Sequence, residues 1–150
     1  QIDSDLEMFF HEDYVPTSSE RMLLYRELDS LETDEQVEAF RQRMLDRFGS
    51  LPQPAEELIR VVKLKRLGKY FGAERIVLKK DRMRLFFVSN PDSPFYASKA
   101  FGQVISFASV NVRACKLEAH SGRSTFLVYN VRSVSDATVL LEQLQQVKPV

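Results

Sequence analysis

The chain has 150 residues, of which 44% are hydrophobic and 28% are charged, and its 21 basic and 21 acidic residues give a formal net charge of zero. This length fits one domain, or one domain with a helical extension, and the charge balance excludes the long-range field that drives non-specific binding to nucleic acid or anionic membranes. The single cysteine, Cys115, excludes an internal disulfide framework, and together with two histidines it leaves little material for a metal site.

These properties set the first expectations. We expect no cofactor and no bound metal. A lone cysteine is typical of a reducing compartment, and the absence of a bilayer-length apolar run gives no reason to expect a membrane partner, so we expect a cytoplasmic location. Because the chain begins at Gln1, we expect a piece of a longer protein. A local basic patch remains compatible with the overall neutrality.

Two helical patterns come first. Residues 17–31 form one, in which Ser18 or Ser19 can cap the helix and three leucines recur at helical spacing: Leu24, Leu28 and Leu31. The second begins at Thr33, with Gln36 three residues on. That spacing predicts a capping box.

The second helix has two distinct sides. One arc of the helical wheel is apolar: Val37, Phe40, Met44, Leu45 and Phe48. The opposite arc carries Glu35, Ala39, Gln42 and Asp46. We expect the apolar arc to be buried and the polar arc to face solvent or a partner.

A glycine and two prolines separate the second helix from the third. Gly49 suits the residue just past a helix end, and Pro52 or Pro54 suits the first turn of the next helix. A phosphate-binding loop would need several glycines after a strand and a Lys-Ser or Lys-Thr pair. The sequence therefore predicts a tight connection to a third helix at about residues 54–71, which is apolar all around and typical of a central helix.

After Gly72 the hydrophobic period changes from about 3.6 to 2. Two strand pairs and two helices follow in the order strand, strand, helix, repeated once. The predicted elements are strands at 74–80 and 82–90 joined near Asp81, a helix at 95–108, strands at 111–119 and 123–130 joined by His120, Ser121 and Gly122, and a helix at 135–147 capped by Ser135.

The predicted fold class is α+β. We expect about three N-terminal helices followed by a β-β-α-β-β-α unit with a mainly antiparallel, four-stranded sheet. The strand at 82–90 is apolar on both sides, so it should be central. We expect one domain, residues 1–150, with a helical half at about 14–72 and an α/β half at about 73–150. The acidic residues before Tyr14, mixed with aromatic residues, resemble an edge strand rather than a calcium loop.

No catalytic constellation is evident. Cys115 and His120 are five residues apart across a strand end, a spacing that does not by itself bring their side chains together, and His11 is distant in sequence. Glu56 and Glu57 lie at the start of the third helix, where negative charge offsets unpaired backbone amides. We therefore expect no enzymatic activity.

Four-stranded sheets can stack nucleic-acid bases on exposed rings, so nucleic-acid binding is the alternative function. The candidate rings are Phe86, Phe87, Phe126 and Tyr129. The candidate phosphate contacts near the hairpin turns are Lys79, Lys80, Arg82, Arg84 and Arg123. The apolar neighbours of these rings indicate a core position instead.

Three motifs together resemble the C-terminal domain of the bacterial transcription-repair coupling factor. They are Tyr-Val-Pro at residues 14–16, "RMLLYREL" at residues 21–28, and "DRFGSLP" at residues 46–52, followed by a helix that ends in a basic segment. The resemblance is specific over about residues 14–72, and the remainder fits in the order of its strands and helices.

The resemblance implies a regulatory role. The parent would be an ATP-driven DNA translocase that displaces stalled RNA polymerase, engages double-stranded DNA and recruits excision repair through UvrA; the motor motifs are absent from these 150 residues. The domain itself would dock on a UvrB-like module of the same chain, mask the UvrA-binding surface and restrain the motor.

The resemblance also points to particular residues. In the family, acidic residues on the helix before "DRFG" help to form the docking surface, and Asp46 is the matching position here. Arg43 stands where some relatives carry an acidic residue. With Gln42 and Glu35 from the polar arc, these residues make up the predicted docking surface.

Overall fold

The computed structural model describes residues 1–120 and 122–150. Its elements in chain order are β1 (Ile2–Ser4), α1 (Ser18–Ser30), α2 (Asp34–Phe48), α3 (Gln53–Tyr70), β2 (Ala73–Lys79), β3 (Arg82–Phe87), a short 3-10 helix (Pro94–Ala97), α4 (Lys99–Val110), β4 (Cys115–His120), β5 (Arg123–Tyr129) and α5 (Val134–Gln145). The α+β class is confirmed. Within the described ranges, none of the helices has the length and apolar character needed to cross a membrane.

The chain divides into two compact units, and the division falls within α3. The helical unit comprises Glu7–Leu64, and the sheet unit comprises Gln1–Leu6 together with Lys65–Val150. β1 therefore belongs to the sheet unit, although the whole helical unit separates it from β2 in the sequence.

One face of each helix builds the core of the helical unit. The buried core residues are Phe10, Tyr14, Val15, Leu28, Phe40, Met44, Ala55, Ile59 and Val62. Burying each large apolar side chain of this kind contributes about 1.5–3 kcal/mol. The predicted apolar arc of α2 is confirmed, except that Leu45 is 41% exposed. Leu45 lies about 100° around the helix from Met44, so it falls at the margin of the arc.

Tyr14 joins the segment before α1 to the end of α2. Its hydroxyl donates a hydrogen bond to the Gly49 carbonyl at 3.0 Å, with the Met44 carbonyl as a second acceptor at 3.3 Å. Its ring packs against Phe48 with 5.7 Å between ring centroids. Past the last turn of a helix, backbone carbonyls no longer have a helical N–H as a donor. Tyr14 supplies that donor, and its position in the core fixes the end of α2.

The predicted cap is confirmed for α2 and wrong for α1. The capping box is confirmed, because the Gln36 N–H donates to the Thr33 hydroxyl and the Gln36 side chain accepts from the Thr33 N–H. The prediction of Ser18 or Ser19 for α1 is wrong, since Thr17 occupies the cap position and makes no side-chain cap bond.

The connection between α2 and α3 is a tight turn, as predicted. Gly49 has a φ of +84°, a conformation that suits glycine, and its N–H donates to the Leu45 carbonyl at 3.0 Å. Pro54 is the second residue of α3, where the missing N–H costs no helical hydrogen bond.

The sheet has the order β1-β2-β3-β5-β4. The predicted four-stranded sheet is corrected to a five-stranded mixed sheet among the described residues, because β1 adds in parallel to β2, with Ile2 opposite Ile76. The other neighbours pair antiparallel, as predicted. β3 is central, as predicted. The edge strand suggested by the acidic N-terminus is confirmed, but three residues carry no pattern that could identify their partner.

The first hairpin closes with an unusual pair of residues. Lys80 and Asp81 both have positive φ, +54° and +58°, which is the backbone of a two-residue turn that matches the right-handed twist of the strands. In the second hairpin, Ser121 lies outside the described residues, and β4 and β5 pair from Cys115 opposite Val128 to His120 opposite Arg123.

Alternate residues along the strands define two faces of the sheet. The apolar face carries Ile76, Leu78, Met83, Leu85, Phe87, Cys115, Leu117, Phe126 and Val128. α4 covers this face, as shown by edge contacts between Phe101 and Phe87 at 5.5 Å and between Phe107 and Phe126 at 6.4 Å. The other side is the polar face: Asp3, Arg75, Val77, Lys79, Arg82, Arg84, Phe86, Lys116, Glu118, Arg123, Thr125, Leu127 and Tyr129.

Two helix boundaries in the sheet unit differ from the predictions. The helix predicted at 95–108 is a 3-10 helix followed by α4, because the Ser98 hydroxyl accepts from the Phe101 N–H and caps a new start. α5 is capped by Ser133 rather than by Ser135, since the Ser133 hydroxyl accepts from the Asp136 N–H. In both places the hydroxyl of a serine fixes where the helix begins.

The buried side chain of Gln103 forms hydrogen bonds with the backbone at the end of α5. Gln103 on α4 is fully buried and accepts a hydrogen bond from the Tyr70 hydroxyl at 2.8 Å. Its amide donates to the carbonyls of Gln145 and Val147 at 2.8 and 3.0 Å. The side chain is thus satisfied while it holds the end of α5 against α4.

The first prediction concerns the Tyr14 hydroxyl. Tyr14→Phe removes its hydrogen bond and leaves the ring, so we expect a loss of about 1–2 kcal/mol in the free energy of unfolding by urea. Burial raises the pKa of Tyr14 above its ordinary value of 10.0. Its stabilisation is therefore complete below pH 10 and is lost as pH rises through the folded pKa. Wild type should lose stability above pH 10 more steeply than Tyr14→Phe, and equal slopes would contradict this.

The second prediction concerns Gly72. Its φ is +62°, and a Cβ there would lie 2.6 Å from a ring carbon of Phe95. Gly72→Ala should cost about 2–4 kcal/mol through backbone strain and overpacking. Gly122→Ala is the matched control, since its φ is +74° and nothing lies within 4 Å of its Cβ. Urea unfolding should show a loss of only about 1 kcal/mol for the control, and equal losses would refute the clash.

Candidate partner-docking site

The predicted docking residues lie on α2. Glu35, Gln42 and Asp46 are exposed along one side of the helix, as the wheel predicts. Gln42, Arg43 and Asp46 fall within little more than one turn. Glu35 lies eleven residues before Asp46, about 16 Å away along the axis, so it is on the same side but not in the same cluster.

Asp46 presents its carboxylate at the surface. The Gln42 side-chain amide donates a hydrogen bond to Asp46 Oδ1 at 3.2 Å. A hydrogen bond from a neutral amide orients the carboxylate and leaves its negative charge in place. Asp46 can therefore attract a cation on a partner.

Two arginines on α2 pair with α1 instead of with Asp46. Arg43 forms a salt bridge with Glu27, whose carboxylate raises the pKa of Arg43 above its ordinary value. Arg47 forms a salt bridge with Glu20. Both carboxylates lie on α1. The two guanidinium groups that could neutralise Asp46 are therefore paired with α1 instead.

A groove adjoins Asp46. It has a volume of about 290 Å³ and is lined by Leu24, Phe40, Arg43, Met44, Asp46, Arg47 and Phe48. The guanidinium groups of Arg43 and Arg47 lie 5.6 and 5.0 Å from the ring centroids of Phe40 and Phe48. The floor is therefore apolar and the rim is charged.

Sequence reasoning missed this groove and the apolar residues that α1 exposes. Met22 is 56% and Leu23 is 62% exposed. The signal was present, because the stripe of Leu24, Leu28 and Leu31 leaves both residues off the buried side. The groove itself needs the packing of α1 on α2, which no local pattern specifies.

The predicted nucleic-acid contacts lie in the sheet unit. Lys79 and Arg82 are exposed on the polar face, where they stand opposite each other on β2 and β3. Arg123 is on the same face; its Nε donates to the Phe87 carbonyl at 2.9 Å, and its guanidinium pairs with Glu74. Lys80 is in the turn, where its N–H donates to Asp5. Arg84 pairs with Glu118 at 2.7 Å.

The rings predicted to stack on bases are either buried in the core or covered by arginine side chains. Phe87 and Phe126 are fully buried on the apolar face. Phe86 is 9% exposed on the polar face, with the guanidinium groups of Arg75 and Arg123 lying 5.3 and 6.0 Å from its centroid. The Arg82 guanidinium lies 5.6 Å from the Tyr129 ring. Arginine side chains thus take the places that stacked bases would need.

The remaining candidates have structural partners. Cys115 is 1% exposed, its burial raises the pKa of its thiol, and its Sγ lies 3.5 Å from the Asn111 carbonyl. The side chain of His120 lies outside the described part of the chain. Glu56 pairs with Arg41, and the buried Glu57 pairs with Arg60 at 3.1 Å.

The chain is similar to known proteins. Residues 4–98 match the family model of the TRCF domain. The chain is 34% identical to the transcription-repair-coupling factor of Rickettsia bellii over 91 residues, which are 61% of this chain and 8% of that protein. It is 25% identical to the transcription-repair-coupling factor of Rickettsia conorii over 144 residues, 96% of this chain and 12% of that protein. The chain thus spans roughly a tenth of the length of these relatives.

A solved structure has the same fold. The crystal structure of a C-terminal domain of transcription-repair coupling factor covers 99% of this chain, which in turn covers 92% of that one, with a TM-score of 0.75 and 15% identity. At this identity the likeness shows the fold alone. The matched region of the family model includes the three motifs at residues 14–16, 21–28 and 46–52, on which the sequence resemblance rests. Because the TRCF family model matches more than half of its residues, this chain belongs to the TRCF domain family.

Proposed function

We propose that this chain is a non-catalytic regulatory domain of a transcription-repair coupling factor. It docks through α2 on a UvrB-like module of the same protein, masks the surface that binds UvrA, and restrains an ATP-driven motor on double-stranded DNA. Engagement of RNA polymerase releases it. The partner follows from the family, the cytoplasmic location from the single cysteine, and the docking surface from the polar side of α2.

The observation that carries the proposal is the exposed carboxylate of Asp46. It occupies the position that matches the acidic docking residues of the family, and the neutral amide of Gln42 donates a hydrogen bond to it. The neighbouring Arg43 and Arg47 are engaged by Glu27 and Glu20. A basic residue of the partner can therefore meet a negative charge here in spite of the two arginines.

Charge alone contributes little at a surface, typically about 0–1 kcal/mol for an exposed pair. The groove beside Asp46 adds an apolar floor of Phe40, Met44 and Phe48 that can bury a partner side chain. Interfaces combine an apolar centre with a polar rim. The groove and Asp46 together provide both parts, and Leu23 on α1 provides further exposed apolar surface.

Charge reversal at Asp46 tests the proposal. In calorimetric titrations of this chain with the separately produced UvrB-like module, Asp46→Arg should weaken binding at least tenfold, about 1.4 kcal/mol. The variant should remain folded, because the side chain is exposed and a cation in the last turn of a helix is favourable.

The matched control is Asp92→Arg, which makes the same charge change at an exposed loop position of the sheet unit. It should bind as wild type does. Equal weakening by both variants would show a general charge effect. Unchanged binding of Asp46→Arg would place docking elsewhere, and no binding of wild type would contradict the regulatory assignment.

A further inference from the structure

The polar face of the sheet holds an excess of positive charge. Among the described residues, six cations belong to it: Arg75, Lys79, Arg82, Arg84, Lys116 and Arg123. Their carboxylate partners in this part of the structure are Asp3, Glu74 and Glu118. Because the chain as a whole is neutral, this imbalance is a local property of the face.

The cations are spread over four neighbouring strands. Adjacent strands lie about 4.8 Å apart, and residues on one face of a strand repeat about every 7 Å, so the charges form a two-dimensional array. Lys79, Arg82 and Lys116 are exposed. A nucleic-acid duplex carries about one negative charge per 1.7 Å of its axis, so several of these cations can contact phosphates at once.

The same face offers little to a protein partner. Thr125, Leu127 and Phe86 have 0%, 4% and 9% exposure, so the uncharged centre of the face offers a partner little apolar surface. The centres of protein interfaces are depleted of charge and rely on aromatic and apolar anchors. Phosphate contacts, in contrast, use Lys and Arg directly.

The arginine side chains over Phe86 and Tyr129 favour a duplex over a single strand as the ligand of this face. Proteins that hold single strands stack bases on exposed aromatic rings. Here guanidinium groups lie over Phe86 and Tyr129. A duplex keeps its bases stacked internally and presents its backbone. We propose that the polar face binds the sugar-phosphate backbone of double-stranded nucleic acid without reading its sequence.

This binding is separate from the docking of α2, because it uses the sheet unit alone. Its probe is a fluorescein-labelled 20-base-pair DNA duplex of arbitrary sequence, titrated with the whole chain and followed by fluorescence anisotropy. Wild type should bind with a Kd of about 1–100 µM at 50 mM salt, and log Kd should rise linearly with log salt.

The test variant is Lys79→Gln with Arg82→Gln, two exposed cations on the face. Loss of two phosphate contacts should weaken binding at least about fivefold at 50 mM salt and reduce the salt slope by about 2. The matched control is Lys99→Gln with Arg113→Gln, which are exposed and off the polar face. It makes the same change in net charge and should bind as wild type does.

Several results would overturn the proposal. These are no duplex binding by wild type at 50 mM salt, equal weakening by test and control variants, and tighter binding of a single-stranded 20-mer than of the duplex. Tighter binding of poly-L-glutamate than of the duplex would instead assign the face to an acidic protein. Circular dichroism checks folding, and the single variant Lys79→Gln provides the comparison should the double variant unfold.

Discussion

The hydrogen bond from the Tyr14 hydroxyl to the Gly49 carbonyl fixes the end of α2 within the helical unit. It joins two segments that are 35 residues apart: Tyr-Val-Pro supplies the donor, and "DRFGSLP" supplies the acceptor. With the end of α2 fixed, the turn at Gly49 sets where α3 begins. The groove beside Asp46 exists only while α1 and α2 keep this arrangement.

The two charged surfaces show how pairing decides which charges are available. On α2, Arg43 and Arg47 form salt bridges with α1, so the negative charge of Asp46 beside them is available to a partner. On the polar face, carboxylates pair with Arg75, Arg84, Lys116 and Arg123, while Lys79 and Arg82 are exposed. A neutral chain can therefore present an acidic position on one unit and a basic surface on the other.

Local patterns predicted much of the fold, because caps, helical arcs and turns depend on residues close in sequence. The capping box of Thr33 and Gln36 and the central position of β3 are examples. Long-range partners could not be predicted. The partner of β1 lies beyond the whole helical unit, and the groove requires two helices to pack. On α2, the exposure of Asp46 followed from the wheel, but the pairing of Arg43 with Glu27 did not, since an exposed arginine has several acidic residues within reach.

Because Cys115 is buried, its reaction with a thiol reagent can report local opening of the sheet unit. Its thiol is the only one in the chain and lies on the edge strand β4 opposite Val128. Burial raises the pKa of this thiol above its ordinary value of 9.0, so it stays protonated at neutral pH. An exposed thiolate is the nucleophile that attacks thiol reagents, so the native protein should react slowly. The labelling rate of Cys115 therefore measures how often this edge of the sheet detaches, without any engineered probe.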